Sequence, residues 1–480
     1  MGPKPPHLSP AGSSFSVNRE YSHLNGDGEK KKYLPDEVLD MIGARNKTLL
    51  VGMCSASFIW VLGAMPLMAS GFTSDTNNAT MRTVIDDFNL TGENSYLAEI
   101  PTSAYMAGNM AGGTFLAQAS DRFGRRPVLL LALSMFSLSG ILASFSPSIL
   151  IYSLLRACQG CFYTGSCVTG WVAGYEMSPP KMRPLATLLF GMAWLLGYSA
   201  VAPLAYNADS WRQLVFYTAL PSLPFALWIY FFLPETLHFL VSKRKTKEMG
   251  VWLEKICGDQ KSPVSSEQIL LLQENSEKKV NVFREICGNR TFLIYTIAMM
   301  YLWICDTFTY FGLSLYSTEL SGNKWVNYLL MGLVELPAYI FTPMLIDKFG
   351  RRSIVAGSHF VAGLAFMSLL ISPAEVLLPI WLIGKSAITL SFMALFVYAS
   401  EVFPTDIRNA SVGMCVVVAR IGGIAAPQIK NMALVFSKMP EVVLSTVCLL
   451  GGLATLLLPE TANRPLPASI KETTEKQPLA

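Results

Sequence analysis

Long apolar runs separated by short polar joints make up most of the chain. Twelve such runs lie near 49–70, 98–119, 128–145, 149–173, 184–206, 212–233, 291–313, 325–346, 353–372, 376–399, 409–431 and 437–458. About 20 residues is the length at which an α-helix crosses the hydrocarbon of a bilayer. Six runs precede and six follow a polar segment, 234–290, and a shorter polar interruption, 71–97, follows the first run. The pattern predicts an all-α membrane protein with twelve transmembrane helices in two six-helix bundles. Its parts are a polar tail (1–48), an N-terminal bundle (49–233) with a short external loop (71–97), a central loop (234–290), a C-terminal bundle (291–458) and a second tail (459–480). Residues 1–34 are too polar and proline-rich to order themselves. The stretch Asp36-Glu37-Val38-Leu39-Asp40-Met41-Ile42-Gly43 predicts a short amphipathic helix at the membrane surface.

The two bundles share motifs as well as a pattern. Asp121-Arg122-Phe123-Gly124-Arg125-Arg126 returns 226 residues later as Asp347-Lys348-Phe349-Gly350-Arg351-Arg352. Glu176, Pro179 and Arg183 return as Glu401, Pro404 and Arg408, and Pro234-Glu235-Thr236 returns as Pro459-Glu460-Thr461, both at an offset of 225. Three motifs repeated in order at one spacing mark a same-handed duplication, the parallel-repeat plan of transporters, with the two halves pseudo-symmetric. Gly124 supplies the backbone freedom of a tight turn. Asp121 caps a helix end, and the arginines lie against the anionic inner leaflet. The motifs read as a cytoplasmic latch that breaks when the halves rock.

Composition agrees with a membrane protein: 52% of the 480 residues are hydrophobic and 15% charged, where soluble domains average about 25% charged. The net charge of +4 resides at span ends rather than in a basic tract, so nucleic acid is not a partner. Nine short-loop Lys and Arg residues fall on one side (Arg122, Arg125, Arg126, Lys181, Arg183, Lys348, Arg351, Arg352, Arg408) and three on the other (Arg82, Lys324, Lys438). The positive-inside rule then places both termini and the central loop in the cytosol. The sequons at Asn78 and Asn89 face outside as glycosylation acceptors. The cysteines lie mostly inside apolar runs and read as packing. No phosphate-binding Walker A loop, nucleophile–base pair or metal cluster is evident, so neither an enzyme, an ATP-driven pump nor a cofactor is expected.

Five charged residues fall inside the runs: Arg156, Asp306, Glu335, Lys385 and Arg420. An ionised side chain at mid-bilayer costs on the order of 3 kcal/mol by insertion scales, so it faces a partner or a cavity. Arg420 precedes Ile421-Gly422-Gly423 and Pro427, residues that permit a broken helix lining a cavity. Its planar fork suits a carboxylate. Asp306 precedes Tyr310 by one turn and Glu335 precedes Tyr339 by one turn, an acid–aromatic arrangement suited to an ammonium group. Tyr198 and Phe392 are further aromatic candidates. Structural pairing of Arg420 with Asp306 or Glu335 is the competing reading. Arg156 is assigned to conformational or proton coupling, and His359 to packing.

The doubled D-[RK]-x-G-R-R motif and Arg156-Ala157-Cys158-Gln159-Gly160 resemble the major facilitator superfamily. Within it, Pro234-Glu235-Thr236-Leu237-His238-Phe239-Leu240, Ser210-Trp211-Arg212, Val334-Glu335-Leu336-Pro337-Ala338-Tyr339 and Tyr398-Ala399-Ser400-Glu401-Val402-Phe403-Pro404 resemble the organic cation, organic anion and carnitine transporter family. The carnitine-type branch is the most similar. The resemblance implies alternating access by a small organic ion at a plasma membrane. It pairs Arg420 with anion and carnitine substrates, and Glu335 and Asp306 with cationic ones, while coupling to Na+ or H+ and the oligomeric state stay open. Loop 71–97 departs from the family in being short and cysteine-free. An organic cation facilitator, and a receptor that binds without moving its ligand, stand as alternatives.

Overall fold

A computed structural model describes residues 33–75, 81–257, 264–269, 282–405, 407–462, 464 and 467. Most of the expected tails, Asn78 and parts of the central loop lie outside those residues. The described chain is helical, with two isolated β-bridges, Tyr33 with Ile269 and Arg82 with Ser210. A short helix α1 (Pro35–Ile42) precedes twelve longer elements. The first half holds α2 (Lys47–Met68), α3 (Ile100–Phe123), α4 (Arg125–Ser144), α5 (Ile149–Met177), α6 (Arg183–Tyr206) and α7, which is broken into Trp211–Ala219 and Ser222–Phe232. The second half holds α8 (Arg290–Tyr316), α9 (Lys324–Leu333 with Glu335–Phe349), α10 (Arg351–Ser368), α11 (Leu377–Val402), α12 (Arg408–Ala425 with Gln428–Val435) and α13 (Met439–Leu456).

Every apolar run is therefore a helix or a broken pair. By length and apolarity, eight cross a membrane, nine with the pair in α12, which bends by 40°. The runs outside that count are α3, α5 and α10. In α3 and α5 the small residues that lower apolarity have a packing reason. A Cβ on Gly108 would meet the Ala157 carbonyl at 1.8 Å, one on Gly112 the Cys161 carbonyl at 2.0 Å, and one on Gly160 the Tyr105 carbonyl at 1.9 Å. Small residues thus let α3 and α5 touch backbone to backbone, the usual device of membrane helix packing.

On the face that carries both termini the repeated motifs build the same object twice. The Arg125 guanidinium donates to Glu176 Oε1 and Oε2 at 2.9 and 3.1 Å and to the Ser120 carbonyl at 3.0 Å. Arg351 pairs with Glu401 at 2.9 Å and donates to the Ile346 carbonyl at 3.1 Å. Asp121 and Asp347 reach the same arginines at 3.0 and 3.2 Å. Glu235 caps α4, accepting from the amides of Arg125 and Arg126 at 3.1 and 3.2 Å, and Glu460 caps α10 likewise at 2.9 and 3.1 Å. A carboxylate at a helix N-terminus satisfies orphan amides and complements the helix dipole. Gly124 and Gly350 have φ of 111° and 88°, and a Cβ on either would come within 2.5 Å of the capping carboxylate. Thr236 and Thr461 close each ring by donating 2.6 Å bonds to Glu176 and Glu401. These bonds join helices of one half. The expected latch between halves is, in this conformation, a clip that makes each half rigid. Arg183 and Arg408 do not join it: Arg183 pairs with Asp36, and Arg408 donates to the Phe403 carbonyl at 3.1 Å. Arg122 stacks over Phe123, 5.3 Å from its centroid.

The amphipathic segments cover protein. In α1, Val38 and Leu39 are buried, and Asp36 meets His238 at 3.0 Å. The helix Thr246–Cys257 buries Met249, Trp252, Leu253 and Ile256, and the Trp252 indole donates to the Glu235 carbonyl at 2.9 Å. This central-loop helix thus packs against the first half. On the opposite face, the described part of loop 71–97 folds on Asp87, which accepts from Trp211 at 3.0 Å and Arg212 at 2.9 Å. Asn89 is exposed on that loop, with a φ of 50°.

Two outcomes follow. Glu460→Ala leaves two amides of α10 unpaired and lowers stability by about 1–3 kcal/mol, read as a fall in the unfolding temperature of detergent-purified protein. The hydrogen bond from His238, with help from Arg183 and against burial, holds the Asp36 carboxyl at about 2, below its ordinary 3.8. A depressed acid stabilises docking of α1 above its unfolded pKa, and that contribution is lost as pH falls from 3.8 towards about 2. Protease access to residues 33–46 rises over that window, and Asp36→Asn raises it already at neutral pH.

Candidate substrate site between the two halves

Four of the five intramembrane charges are matched by the protein itself. Glu335 and Lys385 are both 0% exposed and pair at 3.0 Å. The Tyr310 hydroxyl donates to Glu335 Oε2 at 2.9 Å and that of Tyr339 at 2.7 Å. The Lys385 ammonium lies 3.3 Å from the Tyr310 ring centroid and donates to the Ser314 hydroxyl at 2.6 Å and the Tyr310 carbonyl at 3.2 Å. Across from the first half, the Trp194 indole on α6 donates to the Tyr310 hydroxyl at 2.8 Å. The acid–aromatic cage expected around Glu335 is present, with Lys385 already in the place of an ammonium.

Arg156 is its counterpart in the first half. It donates to the Pro66 carbonyl at 3.0 Å, the Ser70 hydroxyl at 2.6 Å and Gln159 at 2.7 Å, and lies 4.4 Å from the Tyr105 ring centroid. Each cation therefore grips the outer part of its half's first helix through a carbonyl and a serine one turn on, Pro66/Ser70 and Tyr310/Ser314. Dipoles alone balance Arg156 among the described residues.

Asp306 departs from expectation. It sits inside the second half, fully buried, with His359 Nε2 at 3.1 Å and the Ser391 hydroxyl donating at 3.0 Å. Its carboxylate is occupied by His359 and Ser391 rather than by Tyr310. His359, assigned only packing, is its partner.

Arg420 pairs with neither carboxylate. It makes no hydrogen bond or ion pair with the described residues, is enclosed by protein yet partly exposed, and lies within electrostatic reach of Tyr163 and Cys167 on α5 of the opposite half. The two glycines after it set its position: a Cβ on Gly422 would meet the Ile304 carbonyl at 2.3 Å, so α12 lies against α8, and Gly423 faces Met106 of α3. Phe392 stacks on Tyr310 with centroids 5.9 Å apart and is partly exposed.

The face opposite the repeated motifs is closed across the halves. Lys430, beyond the bend of α12, donates to the Gly71 carbonyl at 2.8 Å and pairs with Glu319 at 3.3 Å. Lys324 meets Asp75 at 2.9 Å, and Thr318 donates to the Gly71 carbonyl at 3.0 Å. Tyr198 and Tyr328 stack with centroids 4.6 Å apart, and the Tyr328 hydroxyl donates to the Tyr198 carbonyl at 2.9 Å. Tyr198, expected to touch substrate, is fully buried in this closure. The motif bonds stay within each half, whereas these bonds join the halves on the opposite face. Lys430 and the capping Glu235 and Glu460 escaped assignment from sequence; the repeated Pro-Glu-Thr was the available signal for the two caps.

Removing one member of the Glu335–Lys385 pair strands a buried charge, at a cost of about 3–5 kcal/mol. Lys385→Met or Glu335→Gln alone therefore lowers folded yield and unfolding temperature, and the double variant recovers much of the loss. Additive losses in the double variant would show that the two do not interact.

Comparison with known proteins fits this architecture. The model of the "Sugar (and other) transporter" family matches residues 47–469. A putative transporter of Caenorhabditis elegans is 38% identical over 461 residues, covering 96% of this chain and 95% of its own. The organic cation transporter protein of Drosophila melanogaster is 30% identical over 407 residues, covering 82% and 74%. Organic anion transporter 3 of Oryctolagus cuniculus is 29% identical over 410 residues, covering 82% and 75%. In fold, the chain superimposes on the inward-open xylose transporter XylE from E. coli with a TM-score of 0.66 at 18% identity, over 87% of this chain and 98% of that one. These relatives are transporters, not enzymes. The chain belongs to the sugar (and other) transporter family and, within the major facilitator superfamily, to the organic cation and organic anion transporters.

Proposed function

We propose that the protein carries a small organic anion or a carnitine-like zwitterion by alternating access, with Arg420 receiving the carboxylate. The observation that carries this reading is Arg420 itself, an unpaired, partly exposed guanidinium between the halves. Its fork accepts a carboxylate in two parallel hydrogen bonds. The other interior carboxylates are neutralised, Glu335 by Lys385 and Asp306 by His359. What remains for a substrate, among the described residues, is one positive charge within reach of Tyr163. Resemblance to organic anion transporter 3 points the same way.

A second reading has its own observation. Lys385 rests on Tyr310 and Glu335 as a cationic substrate would. An organic cation that displaced Lys385 would use the same cage, with Arg420 structural. The nine-to-three bias of basic residues supports cytoplasmic termini, at a plasma membrane, and the sealed outer side is then extracellular.

Uptake of radiolabelled carnitine, organic anions and organic cations in oocytes, with and without sodium, tests the reading. Arg420→Ala abolishes anion or zwitterion uptake while surface expression persists. Arg420→Lys keeps the charge, loses the fork and lowers uptake by about tenfold, equivalent to ~1.4 kcal/mol. Normal anion uptake by Arg420→Ala ends the proposal, as would cation uptake that needs Glu335 and ignores Arg420. Ligand binding in proteoliposomes without accumulation would make the protein a receptor.

A further inference from the structure

The second half contains a cluster that the transport reading does not use. Cys305 and Asp306 on α8 and His359 on α10 are buried, and one donor atom from each lies within 4.8 Å of the other two. Donors on one zinc ion lie roughly 3.2–3.8 Å apart, given bonds of about 2.0–2.3 Å. The Cys448 thiol on α13 adjoins that of Cys305 and lies 3.6 Å from the Thr309 hydroxyl.

The supporting bonds are those of a ligand set. His359 Nδ1 is 2.9 Å from the Val355 carbonyl, so Nδ1 carries a hydrogen and Nε2 is the ring atom that faces Asp306. Metal-bound histidines are oriented in this way, and ligating carboxylates are themselves hydrogen-bonded. Asp306 Oδ2 accepts from Ser391 at 3.0 Å, leaving Oδ1 aimed at His359. Oδ1 and Nε2 lie 3.1 Å apart, yet neither has a hydrogen-bond partner of acceptable geometry. A buried carboxylate and imidazole that face each other at that distance hold a cation between them, the proton of an ion pair or a metal ion in its place.

We infer that Cys305, Asp306 and His359 form a binding site for a borderline-soft divalent cation of the zinc type, with Cys448 or a water completing the set. Mixed S, N and O donors suit zinc rather than calcium or magnesium. Binding displaces the Cys305 thiol proton, and with it any proton held between His359 and Asp306, to solvent. The dication with one thiolate, one carboxylate and a neutral imidazole is uncharged overall, which suits a site inside the bilayer. The ion would tie α8 to α10 one turn before Tyr310, fixing the helix that carries the aromatic cage.

Full-length protein purified from zinc-supplemented cells is analysed for metal by mass spectrometry, then stripped by chelation and refilled with Co2+. The expected result is about one zinc per chain and thiolate-to-cobalt absorption bands. Cys305→Ser and His359→Gln lose both, whereas Cys415→Ser, at a buried cysteine elsewhere in the same half, keeps both. Wild type holding no more zinc than His359→Gln overturns the site, as do cobalt bands that survive Cys305→Ser. Should those variants fail to give monodisperse protein, the wild type decides: chelation lowers its unfolding temperature if the site holds metal, and an unchanged temperature overturns the proposal.

Discussion

Charge inside a low-dielectric bundle has to be balanced within a few ångströms, and that constraint organises the interior of this protein. Glu335 meets Lys385, Asp306 meets His359, and Arg156 is held by a carbonyl, a serine and an amide oxygen. Each solution also joins helices. Lys385 links α11 to α8 and α9, and Arg156 links α5 to the end of α2. Once these pairs are made, Arg420 is the intramembrane charge left without a partner among the described residues. The functional reading depends on that asymmetry. Had Arg420 paired with Asp306 or Glu335, the space between the halves would carry no net attraction for an anion.

The same economy appears at the inner face, where exposure is greater and the bonds serve rigidity. A carboxylate caps a helix, an arginine ties that helix to a glutamate, and a threonine closes the ring, twice over with matching atoms. A half built in this way moves as one body. Alternating access then needs bonds between the halves to break, among them Lys430 to Gly71, Lys324 to Asp75, and Tyr198 on Tyr328. The Trp194–Tyr310 bond connects this closure to the Glu335–Lys385 pair. A substrate acting at Tyr310 or Arg420 would therefore touch groups that also hold the halves together.

Much of this was legible in the chain because hydrophobic length and motif spacing are local properties. The twelve runs, the duplication and the family could be read directly. An unpaired arginine followed by two glycines marked the candidate site, since charge in an apolar run must face something other than lipid. The reading went astray where a partner comes from distant sequence. Asp306 and His359 are 53 residues apart and meet because α8 packs on α10. Tyr198 looked like a substrate aromatic and instead stacks on Tyr328 in the outer closure. The arginine motifs looked like a latch, but which half their glutamate belongs to is decided by packing.

The sequence by itself determined that this is a duplicated bundle of membrane helices with buried charges, because periodicity, length and residue type suffice for that. Tertiary structure alone decided which charges cancel, which side is closed and which arginine remains available. A side chain's partner in low dielectric is set by distances between helices that no local pattern encodes.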